Sequence, residues 1–181
     1  MSDEVDQETI DRDKLLLDLM IHAYDEELSR NELVDSKNSQ MIVLVGVMLT
    51  LQSTLFTNLL VNYLLLNEEI LFCSKLILSG LIIVSFIFYG ISLYYFIKSY
   101  AFSKGFKTSP TPKILCNYAQ NDCPKCWVQG EILFTIGKAT NENHIEIDNK
   151  VETGRKGFKW LEIGCFTTFV FVVLFLIVIL L

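Results

Sequence analysis

Cysteine and histidine are the residues of this chain best suited to chemistry, and three of its five cysteines cluster. Cys116, Cys123 and Cys126 follow the order Cys-x6-Cys-Pro-Lys-Cys. A CxxC pair can chelate zinc or cycle between dithiol and disulfide. A closed zinc site needs four ligands. The cluster supplies three, and His144 would have to be the fourth. Three readings stay open: a metal site, a redox pair, or incidental thiols. The expectation is no tightly held metal and no cofactor. Cys73 and Cys165 stand alone near the ends of apolar runs, as lipidated or buried thiols. His22 and His144 read as interface histidines, with a pH-sensitive contact as the sharper alternative. The sequence carries no Gly-rich phosphate loop, HExxH, GxSxG or Ser/His/Asp arrangement. The expectation is therefore that the protein is not an enzyme.

The elements that must position these residues are set by hydrophobicity. The chain is 51% hydrophobic with a mean hydropathy of +0.40, yet 20% of it is charged. That balance calls for a membrane part and a hydrated part. A helix rises about 1.5 Å per residue, so about 20 apolar residues cross the hydrocarbon core. Residues 41–66, 76–97 and 163–181 are three uncharged runs of that size. Residues 1–13 are acidic rather than basic, unlike a signal peptide, so the first run is expected to stay as an anchor. The fold class expected is an all-α membrane protein with three transmembrane helices. Spans one and two form a transmembrane hairpin within residues 40–97.

Charge sets the expected orientation. Residues 1–39 hold twelve acids and four bases, which argues against nucleic acid or anionic lipid as the partner of that arm. Arg30 and Lys37 precede the first run. Lys98, Lys104, Lys107 and Lys113 follow the second. Lys150, Arg155, Lys156 and Lys159 precede the third, and Lys75 alone lies in the first hairpin loop. The positive-inside rule then places the N-terminus and residues 98–162 in the cytoplasm and the C-terminus outside.

The first run is the least uniform. Gln52, Thr54, Asn58 and Asn62 are polar, and the last three repeat every four residues as one helical stripe. Ser53 and Thr57 lie beside them. Hydrogen bonding between helices and the lining of a polar path are both open. In the second run Ser79, Gly80, Ser85, Gly90 and Ser92 suit close packing. Tyr89, Tyr94, Tyr95 and Tyr100 form an aromatic belt toward its cytoplasmic end.

Two further segments read as amphipathic helices. Leu17, Ile21, Tyr24 and Leu28, widened by Leu16 and Met20, make a 4-3-4 stripe in residues 1–39. No Gly or Pro separates it from the first run, so one continuous helix is expected. Residues 103–126 carry Pro110, Pro112 and Pro124 and read as an irregular connector. Residues 127–162 then place Leu133, Gly137, Thr140, His144, Ile147, Val151, Gly154, Phe158 and Leu161 in alternating steps of four and three. Neither stripe buries itself, so the two are expected to pack as a cytoplasmic helical hairpin or in an oligomer. Lipid or a partner protein is the alternative cover for the second stripe.

Residues 24–51 resemble a juncture in small prokaryotic membrane proteins of the SLATT and Pycsar-effector type. There an amphipathic helix ends in a pattern like R-x-x-x-L-D-x-K and leads into a span with an early Gly and a following small or hydroxyl residue. The matching positions are Arg30, Val34, Asp35, Lys37, Gly46 and Thr50, with Val34 in place of Leu. Asp148, Asn149 and Lys150, in a helix leading to a later span, are similar to the other half of such proteins. The resemblance covers about a third of the chain. It implies an oligomeric membrane effector that perturbs the bilayer or forms a pore when a defence signal arrives, often through a nucleotide second messenger. The chain departs from the pattern in its three spans, its cysteine-bearing connector and its lack of a recognisable nucleotide-binding domain. Any sensor would be a separate protein. Read without the family, Asp35 and Lys37 stand at headgroup level, where Lys37 can snorkel to lipid phosphate. The partners expected are the bilayer, further copies of the chain and such a sensor or other protein. A membrane-anchored interaction module, whose cytoplasmic helices bind a partner, is the competing function.

Overall fold

The computed structural model describes residues 2–59, 72–101, 107 and 125–180, with side chains in 11–58, 74–101, 107 and 128–178. The described residues form three helices and no strand: α1 Ser2–Leu59, α2 Phe72–Ala101 and α3 Lys125–Leu180. None contains proline, which would remove a helical hydrogen bond and clash with the preceding turn. The amphipathic segment runs into the first apolar run as one helix of 58 residues. Helix α3 does the same over 56 residues. Each is far longer than the roughly 20 residues a bilayer takes, so apolar composition covers only part of it. Stretches long and apolar enough to cross a membrane lie within Asp11–Asn58, Ser74–Ala101 and Val128–Val178.

The chain forms two compact units. Unit 1 comprises Met1–Asp35 and Phe102–Asn149, and unit 2 comprises Ser36–Ala101 and Lys150–Leu181. In unit 2, α2 runs antiparallel to both other helices. Asn38 meets Ser99 while Phe56 meets Phe86, and Ser99 meets Lys150 while Tyr89 meets Thr168. Two apolar clusters fill the interior. Val45, Tyr89, Phe96 and Leu161 form one, and Leu78, Ile82 and Phe171 form the other. The close approach of α2 and α3 depends on glycine. A Cβ on Gly164 would sit 2.9 Å from Cε1 of Tyr89, and one on Gly157 would sit 3.2 Å from Cβ of Tyr95. Opposite them, Ser85 and Ser92 are fully buried. Gly80 and Gly90, grouped with these serines by sequence, instead have open space beside them.

In unit 1, α1 and α3 pack side by side. Met20 lies against Gly137, Glu27 against His144, and Arg30 against Asp148. The partner numbers rise together, so the two helices run in the same direction. This corrects the expected helical hairpin, whose arms would be antiparallel. The physical reason is that α2 lies between them in the chain and runs antiparallel to both, so the direction reverses twice and α3 again runs with α1.

The buried lines also differ from the expected ones, in the same way on both helices. On α1 the buried or half-buried positions include the line Leu17, Met20, Tyr24, Glu27, Asn31, Val34, Asn38, Met41, Val45, Met48 and Gln52. Leu17, Met20 and Tyr24 were expected, but Glu27 takes the place of Leu28, and Leu16, Ile21 and Leu28 are exposed. On α3 the line Ile136, Asn143, Lys150, Gly157, Gly164 and Phe171 is buried throughout. It replaces His144, Val151 and Phe158, the latter two each 44% exposed. Hydrophobicity misplaced one line of each helix by one residue, because the true lines carry Glu27, Asn143, Lys150 and two glycines.

Register shifts the third run as well. Gln52 and Thr168 pair across an offset of 116, and Asn38 abuts Gly154 at the same offset. Residues 157–162 of α3 therefore lie beside residues 41–46 of α1. Lys159 and Glu162, both exposed, stand level with the first apolar residues of α1 rather than before them.

Candidate functional site

The polar residues of the spans divide between two surfaces. Gln52 is only 3% exposed and faces the interior of unit 2. Its Oε1 accepts a hydrogen bond from the Thr168 hydroxyl at 2.9 Å. Thr168 Oγ1 lies 3.0 Å from the Tyr89 hydroxyl. A hydroxyl has one proton to give. If Thr168 gives its proton to Gln52, Tyr89 must be the donor to Thr168. One group from each helix then joins in a single relay, Tyr89 to Thr168 to Gln52. A polar group in an apolar span needs such a partner.

Thr54 and Asn58 lie on the opposite, exposed surface of α1. Thr50, Ser53, Thr54 and Thr57 each donate to the carbonyl four residues earlier, at 2.8–3.0 Å. Their hydroxyls are satisfied within the helix. The Asn58 carboxamide has no such outlet and makes no hydrogen bond among the described residues. Asn62 lies outside the described residues.

The charged residues of unit 1 form a node. Arg30 Nη2 donates to Asp148 Oδ1 at 2.7 Å, and this bond raises the Arg30 pKa above its ordinary value. His144 Nδ1 lies 2.7 Å from Glu27 Oε1 and 3.1 Å from Arg30 Nη1. A bare Nδ1 lone pair would repel the carboxylate at that distance, so Nδ1 carries the proton and donates to Glu27. His144 Nε2 stands 3.5 Å from Asp148 Oδ2. The Arg30–Asp148 pair is substantially exposed, so it contributes on the order of 0–1 kcal/mol. His144 thus meets Glu27, while His22 lies on an open acidic face with Asp18, Asp25 and Glu26.

The remaining motif positions separate. The node brings Arg30 to Asp148, so the two elements of the family-like pattern meet there. Asp35 is half-buried, Lys37 and Asn149 are exposed, and Lys150 is 1% exposed. Among the described residues no three of His, Cys, Asp and Glu gather as a metal site. Cys116 and Cys123 lie outside the described residues, as does the side chain of Cys126. Cys165 is free and sits 3.8 Å from the Tyr89 hydroxyl.

Sequence reasoning passed over Asn143. It is fully buried in unit 1, and it grips residue 107 at both ends. Lys107 N donates to Asn143 Oδ1 at 2.7 Å, and Asn143 Nδ2 donates to Lys107 O at 2.9 Å. Tyr24 donates to the same carbonyl at 3.2 Å. Asn143 lies seven residues from both Ile136 and Lys150, a spacing that could have placed it on the seam.

These observations define an all-α protein with three helices long and apolar enough to span a membrane, a make-up compatible with a multi-pass membrane protein. Comparison with protein-family models, with curated proteins and with solved structures finds no match.

Proposed function

We propose that this chain is a non-catalytic multi-pass membrane protein that assembles with further copies of itself and opens a polar path through the bilayer. The observation that carries the reading is the Asn58 carboxamide, exposed on a span and unpartnered among the described residues. In lipid such a group seeks another polar group or water. An oligomer with Thr54 and Asn58 facing a common axis supplies both. In the sequence Asn62 repeats the four-residue spacing once more. Gln52, bonded within its own bundle, is not part of that lining.

Asn58→Leu tests it. Leucine keeps the helix and is favourable in lipid, but it replaces a polar lining group with a dewetting one. Reconstituted wild-type protein is expected to conduct in planar bilayers. The variant is expected to reach the membrane and not conduct. If instead the oligomer dissociates first, the stripe serves only to bind helices together. Wild-type protein that never conducts would count against the pore.

One observation favours a second reading, an anchored module that binds a partner protein. Leu15, Leu19 and Leu33 on α1, with Phe134 and Ile145 on α3, are each more than half exposed in unit 1. They alternate with charges that keep these segments out of lipid.

Under either reading the N-terminus is cytoplasmic and the C-terminus external, because every base flanking the spans except Lys75 lies on one side. Membrane-impermeant thiol reagents applied outside should reach a cysteine introduced at residues 67–69 and miss those introduced at residues 2–30. The reverse labelling would overturn this orientation.

A further inference from the structure

Register gathers the exposed bases of unit 2 at one level. Asn38 Nδ2 donates to Ser99 Oγ at 2.8 Å, and Ser99 donates to the Lys150 carbonyl at 2.7 Å. A Cβ on Gly154 would lie 3.1 Å from Asn38 Oδ1. The three helices are therefore abreast at residues 38, 99 and 150–154. Lys37, Lys98, Arg155 and Lys156 stand within two residues of that level, all exposed, and exposed Lys159 follows one turn further along α3. Each helix contributes at least one. Glu152 pairs with Lys156 at 2.8 Å, which lowers the Glu152 pKa and raises that of Lys156. Lys37, Lys98, Arg155 and Lys159 form no ion pair with any described residue. Among the described residues these four cations are thus without an ion-pair partner.

Aromatic side chains occupy the apolar side of this level. Tyr94 is exposed and Tyr95 half-buried, and Trp160 stacks on Phe88 with centroids 5.6 Å apart. Lys37, Lys98 and Arg155 outermost, with tyrosine, tryptophan and Lys159 next and aliphatic residues beyond, match the sequence of phosphate, glycerol and acyl chain in a leaflet.

We infer that Lys37, Lys98, Arg155 and Lys159 form a collar that binds anionic phospholipid headgroups. The ammonium and guanidinium groups meet phosphate oxygens, and the long stem of Lys159 snorkels back to that level. Lipid is the favoured source of the anion because the cations border the apolar runs on all three helices. A soluble polyanion could reach one side of such a collar, whereas headgroups surround it. The inference rests on the membrane placement of unit 2 and on neither conduction nor assembly.

Quenching of Trp160 tests it. The full chain carrying Trp127→Phe keeps Trp160 as its sole tryptophan, since the sequence has two. It is reconstituted in phosphatidylcholine bilayers in which either phosphatidylcholine or phosphatidylglycerol is brominated. Brominated phosphatidylglycerol is expected to quench as if bound at least about tenfold more tightly, with a loss of up to about fivefold per base removed until no preference is left. The variant Lys37→Gln/Lys98→Gln/Arg155→Gln/Lys159→Gln is expected to show no preference. Lys14→Gln/Lys138→Gln, in unit 1, is expected to retain it. If the fourfold variant fails to fold, salt decides on the wild-type collar. The preference should fall between about 0.1 M and about 0.5 M, as the Debye length shrinks. Equal quenching by both lipids, or a preference indifferent to salt, would overturn the collar and leave the pore reading standing. Quenching by neither lipid would overturn the collar together with membrane placement.

Discussion

Replacing Gly164 by leucine is expected to lower the stability of the protein by about 3 kcal/mol or more, the largest loss among the glycines of unit 2. The space for a side chain at residue 164 is occupied by the Tyr89 ring, with Cε1 at 2.9 Å, Cδ1 at 3.0 Å and Cζ at 3.3 Å from the first added carbon. Tyr89 is fully buried among Val45, Phe96 and Leu161. The ring cannot swing away without giving up its hydroxyl contact with Thr168. Helix propensity works in the other direction, since glycine costs about 1 kcal/mol relative to good helix formers. For alanine one carbon of overpacking costs about 1–3 kcal/mol, which equals or exceeds that gain, so a smaller net loss of up to about 2 kcal/mol is expected. For leucine the steric effect wins. Gly90→Leu is the matching control: nothing lies within 4 Å of its added carbon, so it should be neutral or mildly stabilising. The measurement is unfolding of the reconstituted protein by increasing sodium dodecyl sulfate, followed by far-ultraviolet circular dichroism. A Gly164→Leu protein as stable as the wild type would mean that α2 and α3 do not approach this closely.

The second large effect is expected at Asn143. Its carboxamide matches a backbone unit, accepting from Lys107 N–H and donating to Lys107 C=O. Asn143→Ala leaves both backbone groups without that partner. A lost partner costs roughly 1–3 kcal/mol where the remaining group is shielded from water. Lys107 is exposed, so water recovers part of this, and the lower half of the range is expected. Trypsin cleaves after lysine, which gives a local readout: cleavage after Lys107 should accelerate several-fold. Asn143→Asp separates the two bonds. It keeps the acceptor for Lys107 N–H, loses the donor to Lys107 C=O, and places a carboxylate in a fully buried position. It should therefore be at least as damaging as alanine. Tyr24→Phe removes one longer, exposed bond to the same carbonyl and should have the smallest effect of the three. Cleavage after Lys107 unchanged by Asn143→Ala would show that the grip does not hold in solution.

How much of this was legible beforehand can be judged residue by residue. The three apolar runs needed nothing beyond the sequence, because the length of an uncharged stretch against the thickness of hydrocarbon is a one-dimensional comparison. The continuity of α1 was legible for a similar reason: no proline or glycine interrupts residues 2–45. On each long helix one line of the seam was also legible, since Leu17 and Tyr24 on α1 and Ile147 and Leu161 on α3 are apolar or aromatic at heptad spacing. Of the companion lines only Met20 was. Ile21 and Phe158 outscore Glu27 and Gly157 on any hydrophobicity scale, yet the latter pair are the better covered. Glu27 is covered because His144 and Arg30 meet its carboxylate. Gly157 is covered because only a residue without a side chain admits the Phe96 ring at 3.3 Å from where Cβ would lie. Both reasons concern a neighbouring helix, and a periodicity within one segment carries no record of its neighbour. The same holds for Gln52, whose polarity announced a partner but not whether it would be Thr168 of its own chain or water in a path between chains. Register was the last decision left to the tertiary structure. Each apolar run shows where charge stops along its own helix, but the glycines and the Asn38–Ser99 contact decide which residues lie abreast. That alignment places Lys159 and Glu162 beside the start of the first apolar run, although in the sequence they stand outside the third.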